Sequence, residues 1–231
     1  MHDYTFRPEE LFHFVWSVDQ DGYEAVSAED LPEGVQRPVL QAASLPAGQG
    51  FYLKRKGGQL REYRPLDEQS GLARRFAYLP KTPSAILDFA NEFGFLGLEC
   101  SKHPDDVEWA EHSPWWHTHV QGLRHFVERI DTDDKYSIAS VFNHYVEPQM
   151  TVRIETAHAK RPALKVAPLN LIAGMWLQVA GELTTGTKYR KCEWCPRWFS
   201  YGAGTGRRET RRFCSDGCRK AWNRHKKGEG Q

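Results

Sequence analysis

Apolar residues recur at helical spacing in the segment 82–97, whose sequence is TPSAILDFANEFGFLG. They occupy the i, i+3, i+4 and i+7 positions of an amphipathic helix. These positions are Ile86, Phe89, Ala90 and Phe93. Thr82 suits the N-cap, Pro83 suits the first helical position, and Gly94 can end the helix with a positive φ. The segment therefore predicts a helix that packs one face against a core.

Two further segments have a helical stripe of apolar residues. The first stripe ends at the acidic cluster 131–134, and the second follows Pro168. The first contains Trp116, Val120, Leu123, Val127 and Ile130, and the second contains Leu169, Ile172, Trp176, Val179 and Leu183. Leu171, Met175 and Leu177 widen the second stripe, which predicts a largely buried helix.

The region before Leu66 is typical of a small β-sheet. The segment 12–18 is mainly apolar, and 51–66 reads FYLKRKGGQLREYRPL, in which Gly57 and Gly58 separate two short alternating runs. Such a glycine pair predicts a hairpin. Residues 21–50 are rich in turn-forming residues and predict irregular connections.

The predicted fold class is therefore α+β. We expect a body over residues 1–185, β-rich to about residue 66 and mainly helical over 80–185. A separate small module follows over residues 186–231, because the cysteine and charge patterns change there.

The chain has 231 residues, of which 40% are hydrophobic and 26% charged, and a formal net charge of +1. This near-neutral total conceals an asymmetry. Residues 186–231 hold 13 Lys and Arg and 4 Asp and Glu, which gives +9, and the first 185 residues carry −8. A basic module on an acidic body favours a polyanionic partner. The alternative is that the two halves attract each other within the molecule.

Membrane and export signals are not evident in the sequence. No segment has the roughly 18 to 20 consecutive apolar residues that a membrane span needs, and the first residues lack a signal-peptide pattern. We therefore expect a cytoplasmic protein without a membrane partner. An odd number of cysteines, five, favours metal ligation or reactive thiols over a disulfide framework.

Four of the cysteines form two pairs. Cys192 and Cys195 are spaced C-x2-C, Cys214 and Cys218 are spaced C-x3-C, and eighteen residues separate the pairs. This spacing is close to that of treble-clef and ribbon-like zinc sites with four thiolate ligands. The sequence therefore predicts one structural Zn²⁺ ion. Four protein ligands leave no coordination position for a substrate.

A short helix is predicted to carry Cys218 in its first turn. Ser215 suits the N-cap of a helix that starts near Asp216. We expect Trp222 of this helix to pack beneath the metal together with Trp198 and Phe199. His225 is excluded as a ligand, because seven helical residues rise about 10 Å.

Basic residues surround the predicted zinc site. The candidates for nucleic-acid contact are Arg207, Arg208, Arg211, Arg212, Arg219, Lys220, Arg224, Lys226 and Lys227. Such a cluster on a small rigid module is typical of phosphate binding, although the pattern suits DNA and RNA alike. The glycine-rich segment 201–206 is interpreted as a hairpin tip, since no strand–loop–helix pattern surrounds it.

The tail CEWCPRWF…RRFCSDGCRKAWNRHKK resembles the C-terminal zinc fingers of bacterial proteins with the pattern C-x2-C-x3-F followed by R-[YF]-C-S-x2-C-R. The CGNR zinc-finger family has such a finger after a mostly helical ABATE-type domain. The resemblance implies that Cys192, Cys195, Cys214 and Cys218 are zinc ligands, and that the protein regulates transcription. In this chain Arg219 and Lys220 follow Cys218, where that family has Gly-Asn-Arg.

Two functions from different classes follow. The first is DNA binding with a role in transcription regulation. The second is protein interaction, in which the basic face of a zinc-stabilised module binds an acidic protein or the acidic body.

No catalytic constellation is present in the sequence, so we do not expect an enzyme. His112, His117, His119 and His125 are interpreted as surface histidines, because His117 and His119 point apart on a helix and His112 precedes it. Cys100 is interpreted as a small buried hydrophobic residue, and a role for its thiol is the alternative.

Overall fold

The computed structural model describes residues 14–31, 50–68, 71–97, 110–131, 150–155, 163–202 and 205–228. These residues form a mixed α/β structure with small antiparallel sheets. The strands are β1 (Trp16–Asp19), β2 (Tyr23–Val26), β3 (Tyr52–Arg55), β4 (Leu60–Tyr63), β5 (Ala110–His112), β6 (Met150–Glu155), β7 (Ala163–Pro168), β8 (Lys188–Lys191) and β9 (Trp198–Tyr201). The helices are α1 (Pro65–Glu68), α2 (Leu72–Ala77), α3 (Pro83–Phe93), α4 (Ser113–Asp131), α5 (Leu171–Thr185) and α6 (Asp216–Gly228).

The predicted hairpin at Gly57 and Gly58 is wrong, although both flanking strands exist. Strand β4 pairs with β1, and β3 pairs with β2 on one side and β5 on the other. The two segments 16–26 and 52–63 thus run antiparallel, and their strand pairing is interrupted in the middle. The glycines lie at this interruption and do not form a hairpin between β3 and β4.

Asp19 explains why glycine is needed where the strand pairing is interrupted. Its buried carboxylate accepts hydrogen bonds from the backbone N–H groups of Gly57 (3.1 Å) and Gly58 (3.1 Å) and from Arg55 Nε (3.0 Å). Gly57 has a φ of +88°, which disfavours other residues. With the Asp21 N–H, which donates at 2.9 Å, four donors satisfy this buried carboxylate.

Helix α3 confirms the prediction for residues 82–94. The Thr82 side chain accepts a hydrogen bond from the Ala85 N–H, Pro83 is the first helical residue, and Gly94 follows the last turn with a φ of +86°. The four predicted apolar positions are all buried. This helix belongs to the large core of the body.

Helix α4 contains the predicted stripe, but the interpretation of its histidines is wrong at one position. His119 is buried, and burial lowers its pKa to about 4, so the ring is neutral at physiological pH. His125 is exposed, and His117 is half-buried. His112 lies before the helix, in β5, where its ring stacks on Tyr52 at 4.5 Å between centroids.

Helix α5 is largely buried, as its broad stripe predicts. Asn170 caps it by accepting a hydrogen bond from the Ala173 N–H at 2.9 Å. Leu169, predicted in the stripe, instead precedes the helix and is exposed. Strands β6 and β7 pair as an antiparallel hairpin just before α5, within the region predicted to be mainly helical.

The described residues have two separate hydrophobic clusters. The larger one joins the first sheets with α2, α3, α4 and α5, and the smaller one lies around the cysteines. None of the helices in the described ranges is long and apolar enough to cross a membrane.

Candidate metal centre

The first cysteine pair lies in the connection of a β-hairpin. Strands β8 and β9 pair antiparallel, and the Cys192 N–H donates to the Arg197 carbonyl at 2.8 Å. This bond closes the turn that contains Cys195. The two sulfur atoms are therefore presented from one tight loop.

The second pair lies at the start of α6, as predicted. Cys214 precedes the helix and Cys218 is in its first turn. Ser215 Oγ accepts a hydrogen bond from the Cys218 N–H at 3.2 Å, which is the predicted cap.

The four sulfur atoms lie within 4.8 Å of one another, close enough to hold one metal ion. The Sγ–Sγ distances are 3.6 Å for Cys195–Cys214, 3.5 Å for Cys214–Cys218 and 3.8 Å for Cys195–Cys218. A tetrahedral site with metal–sulfur bonds of about 2.3 Å has sulfur atoms about 3.8 Å apart. The thiols are free and much farther apart than the roughly 2.05 Å of a disulfide. The arrangement thus fits a tetrahedral metal ion.

Backbone N–H groups favour the thiolate form of Cys192. Burial would raise the pKa of its thiol, but hydrogen bonds from the backbone of Cys214, Cys195 and Trp194 lower it to about 7. One of these is the Cys214 N–H, whose nitrogen lies 3.4 Å from Cys192 Sγ. Burial raises the pKa of Cys214 to about 12 and also raises that of Cys195. A bound cation would have to displace these protons, because the thiolate is the ligand form.

A small aromatic cluster supports the cysteines. Phe199 and Phe213 are buried beside Cys192, and Trp222 packs against them from α6. Trp198 does not join this cluster, which corrects the prediction. Its ring stacks on Tyr78 of the body with centroids 5.5 Å apart.

Three of the predicted phosphate-binding arginines use some of their N–H groups within the module. Arg211 donates to the carbonyls of Phe213 (2.8 Å) and Cys214 (3.1 Å), and Arg207 donates to the Ser200 carbonyl at 3.3 Å. Arg212 forms an exposed ion pair with Glu193. These side chains therefore help to hold the loops that carry the cysteines.

The other predicted basic residues are exposed. They are Arg208, Arg219, Lys220, Arg224, Lys226 and Lys227. Arg219 forms an exposed ion pair with Asp216 at 3.3 Å, and Lys226 lies 5.2 Å from the centre of the Trp222 ring. Among the described residues, the side chains of Arg208, Lys220, Arg224 and Lys227 have no ion-pair or hydrogen-bond partner.

Sequence reasoning missed two residues of the module. Arg190 of β8 donates to the carbonyls of Glu209 (2.9 Å) and Arg211 (3.0 Å) and so braces the segment before the second cysteine pair. Trp194, between the first two cysteines, is 42% exposed, and its ring contacts His225 edge-on. His225 is not in the cysteine cluster, as expected. The predicted glycine-rich tip includes Ala203 and Gly204, which lie outside the described residues; Gly202 and Arg207 on either side are bridged.

The Ser215 cap gives a first prediction. The Ser215→Ala variant should bind the metal ion about fivefold more weakly, because loss of an N-cap costs about 1 kcal/mol and this cap holds the turn of Cys218. Competition with a chromophoric chelator measures the affinity. Thr210→Ala, at an exposed residue before the same helix, should leave it unchanged. Equal affinities in all three proteins would contradict a role for the cap.

A scan of the chain against protein-family models finds no match, and a search of curated proteins also finds none. Function therefore has to be inferred from the geometry and charge of the four-cysteine module.

Proposed function

We propose that the four cysteines bind one Zn²⁺ ion that stabilises the module 186–231. Thiolate sets at tetrahedral distances favour zinc, and the geometry of a hairpin turn facing the first turn of a helix is that expected of a treble-clef finger. Since four protein ligands fill the coordination sphere, the role of the ion is structural and not catalytic.

We further propose that the module binds DNA and that the protein acts in transcription regulation, as its resemblance to CGNR zinc-finger proteins implies. The observation that carries the proposal is the display of cationic side chains around the cysteine cluster. Seven of the nine candidate residues are exposed, and the module has a formal charge of +9. Cationic groups on a rigid support bind phosphates and release their counterions. We also propose that the protein acts in a bacterial cytoplasm, where thiols are kept reduced and can bind a metal ion.

The test is a titration of the full chain, purified without chelator, onto a mixed-sequence DNA duplex by fluorescence polarisation. We expect one zinc per chain and an affinity that falls at least about tenfold between 50 and 200 mM salt, since each phosphate contact contributes to the salt dependence. Tighter binding to a single-stranded RNA of equal length would change the partner to RNA.

Binding to an acidic protein is the second candidate function. Exposed Trp194 on the cysteine loop favours it, because aromatic residues are enriched at protein interfaces. The contacts between module and body include one between Arg74 of the body and the ring of Trp198. One zinc per chain without salt-dependent DNA binding would favour this second function.

A further inference from the structure

A groove in the module brings together arginines that are separate in sequence. It has a volume of about 500 Å³ and lies between the segment 206–213 and the start of α6. The ionisable residues that line it are Arg207, Arg208, Arg211, Arg212, Arg219 and Asp216. Five cations and one anion make it a strongly positive concave surface. The N-terminal end of α6 adds its partial positive charge.

Several of these guanidinium groups are already held in place. Arg207 and Arg211 each donate to backbone carbonyls, and the carbonyls of Glu209 and Arg211 are braced by Arg190. A guanidinium has five N–H donors, so these bonds leave others for a ligand. Arg207 and Arg211 therefore lose less side-chain entropy when an anion binds, because their side chains are already partly fixed.

The two walls of the groove each provide one arginine whose charge is largely available. The side chain of Arg208, on the 206–213 segment, has no ion-pair or hydrogen-bond partner among the described residues. Arg219, on α6, has only its exposed contact with Asp216, and such surface pairs are weak. Arg212 contributes less, because Glu193 neutralises it. An anion in the groove would thus be contacted from both sides.

We infer that this groove holds the phosphodiester backbone of the bound nucleic acid, with Arg208 and Arg219 contacting phosphates from opposite walls. This inference rests on the proposed DNA binding and assigns the phosphate contacts to the groove. Planar guanidinium groups pair with phosphate oxygens in a fixed geometry, whereas Lys220 and Lys227 are hydrated point charges on the exposed surface of α6. The groove therefore provides most of the phosphate affinity, and the outer lysines add little.

The test compares two charge-matched double variants of the full chain. Arg208→Ala with Arg219→Ala should weaken duplex binding at least about tenfold at 0.1 M salt and lower the slope of log affinity against log salt by about two. Lys220→Ala with Lys227→Ala removes the same charge and should change affinity by less than about threefold. Metal content and the thermal unfolding temperature should match wild type in both variants, because the four side chains are exposed.

The outcomes separate the inference from the proposal on which it rests. If the lysine variant loses more affinity than the arginine variant, or if both lose equally, the groove is not the phosphate site while DNA binding stands. If neither variant loses affinity, the groove inference is also overturned. If wild type shows no salt-dependent binding to the duplex, both the groove inference and the proposed function fail.

Discussion

Replacement of Cys214 by serine should remove the metal ion from the chain and unfold the module 186–231. Structural zinc contributes about 10 to 16 kcal/mol of binding free energy in small zinc-finger peptides, and this energy is also folding energy. If the four ligands contribute about equally, loss of one lowers the metal affinity on the order of 100-fold. We expect metal content to fall from one ion per chain to near zero after treatment with a weak chelator. Hydrogen exchange should become fast in β8 and β9.

Cys100→Ser is the matched control, because Cys100 is the cysteine outside the two pairs. It should retain one ion per chain and the exchange pattern of wild type. Cys195→Ser should behave as Cys214→Ser does, which guards against an effect peculiar to one position. A Cys214→Ser protein that keeps its tightly bound ion would show that the four-cysteine cluster is not the metal site.

The body should survive this loss of metal. Its core is formed by the first sheets and the helices α2 to α5, and it is separate from the small cluster around Cys192, Phe199 and Phe213. A cluster with so few buried side chains is too small to stabilise a fold alone. We therefore expect a bound metal ion to determine the folding of the module, whereas apolar burial stabilises the body.

Local signals in the sequence predicted the parts of the fold that depend on local contacts. The helix after Thr82 and the capped turn at Ser215 both follow from side chains within a few residues of one another. The same holds for the cysteine pairs, whose spacing is set by a turn and by one helical turn. Two missed features also had local signals. Met150, Val152 and Ile154 alternate as a strand does, and His119 lies three residues after Trp116 on the buried stripe.

Features that depend on distant segments could not be predicted in this way. A glycine pair suits a hairpin and a bend equally, and only the partners of β3 and β4 decide between them. The carboxylate of Asp19 accepts hydrogen bonds from the N–H groups of Gly57 and Gly58, which lie 38 and 39 residues away. Trp198 and Phe199 are a different case. Neighbours on a strand face opposite sides, so both could not pack beneath the metal.

Arg74 lies where Trp198 and the rest of the module meet the body. Its Nε donates to Glu182 Oε2 at 2.7 Å, and both side chains are almost fully buried, with 4% and 1% of their surface exposed. The guanidinium also lies over the rings of Tyr189 and Trp198, at 5.7 and 5.6 Å. One ion pair thus joins α2 and α5 and forms a surface against which the first hairpin of the module packs.

Arg74→Met should therefore destabilise the body by about 3 to 5 kcal/mol, because it leaves the Glu182 carboxylate buried without its cation. Urea unfolding followed by tryptophan fluorescence measures the change.

Arg75→Met is the control on the adjacent residue. Arg75 pairs with Glu92, whose side chain is 45% exposed, so loss of Arg75 leaves a carboxylate that water can solvate and should cost less than loss of Arg74. Arg74→Met with Glu182→Leu should recover most of the loss, since an apolar pair can replace a buried ion pair. Equal losses for Arg74→Met and Arg75→Met would show that burial of the pair does not determine its contribution.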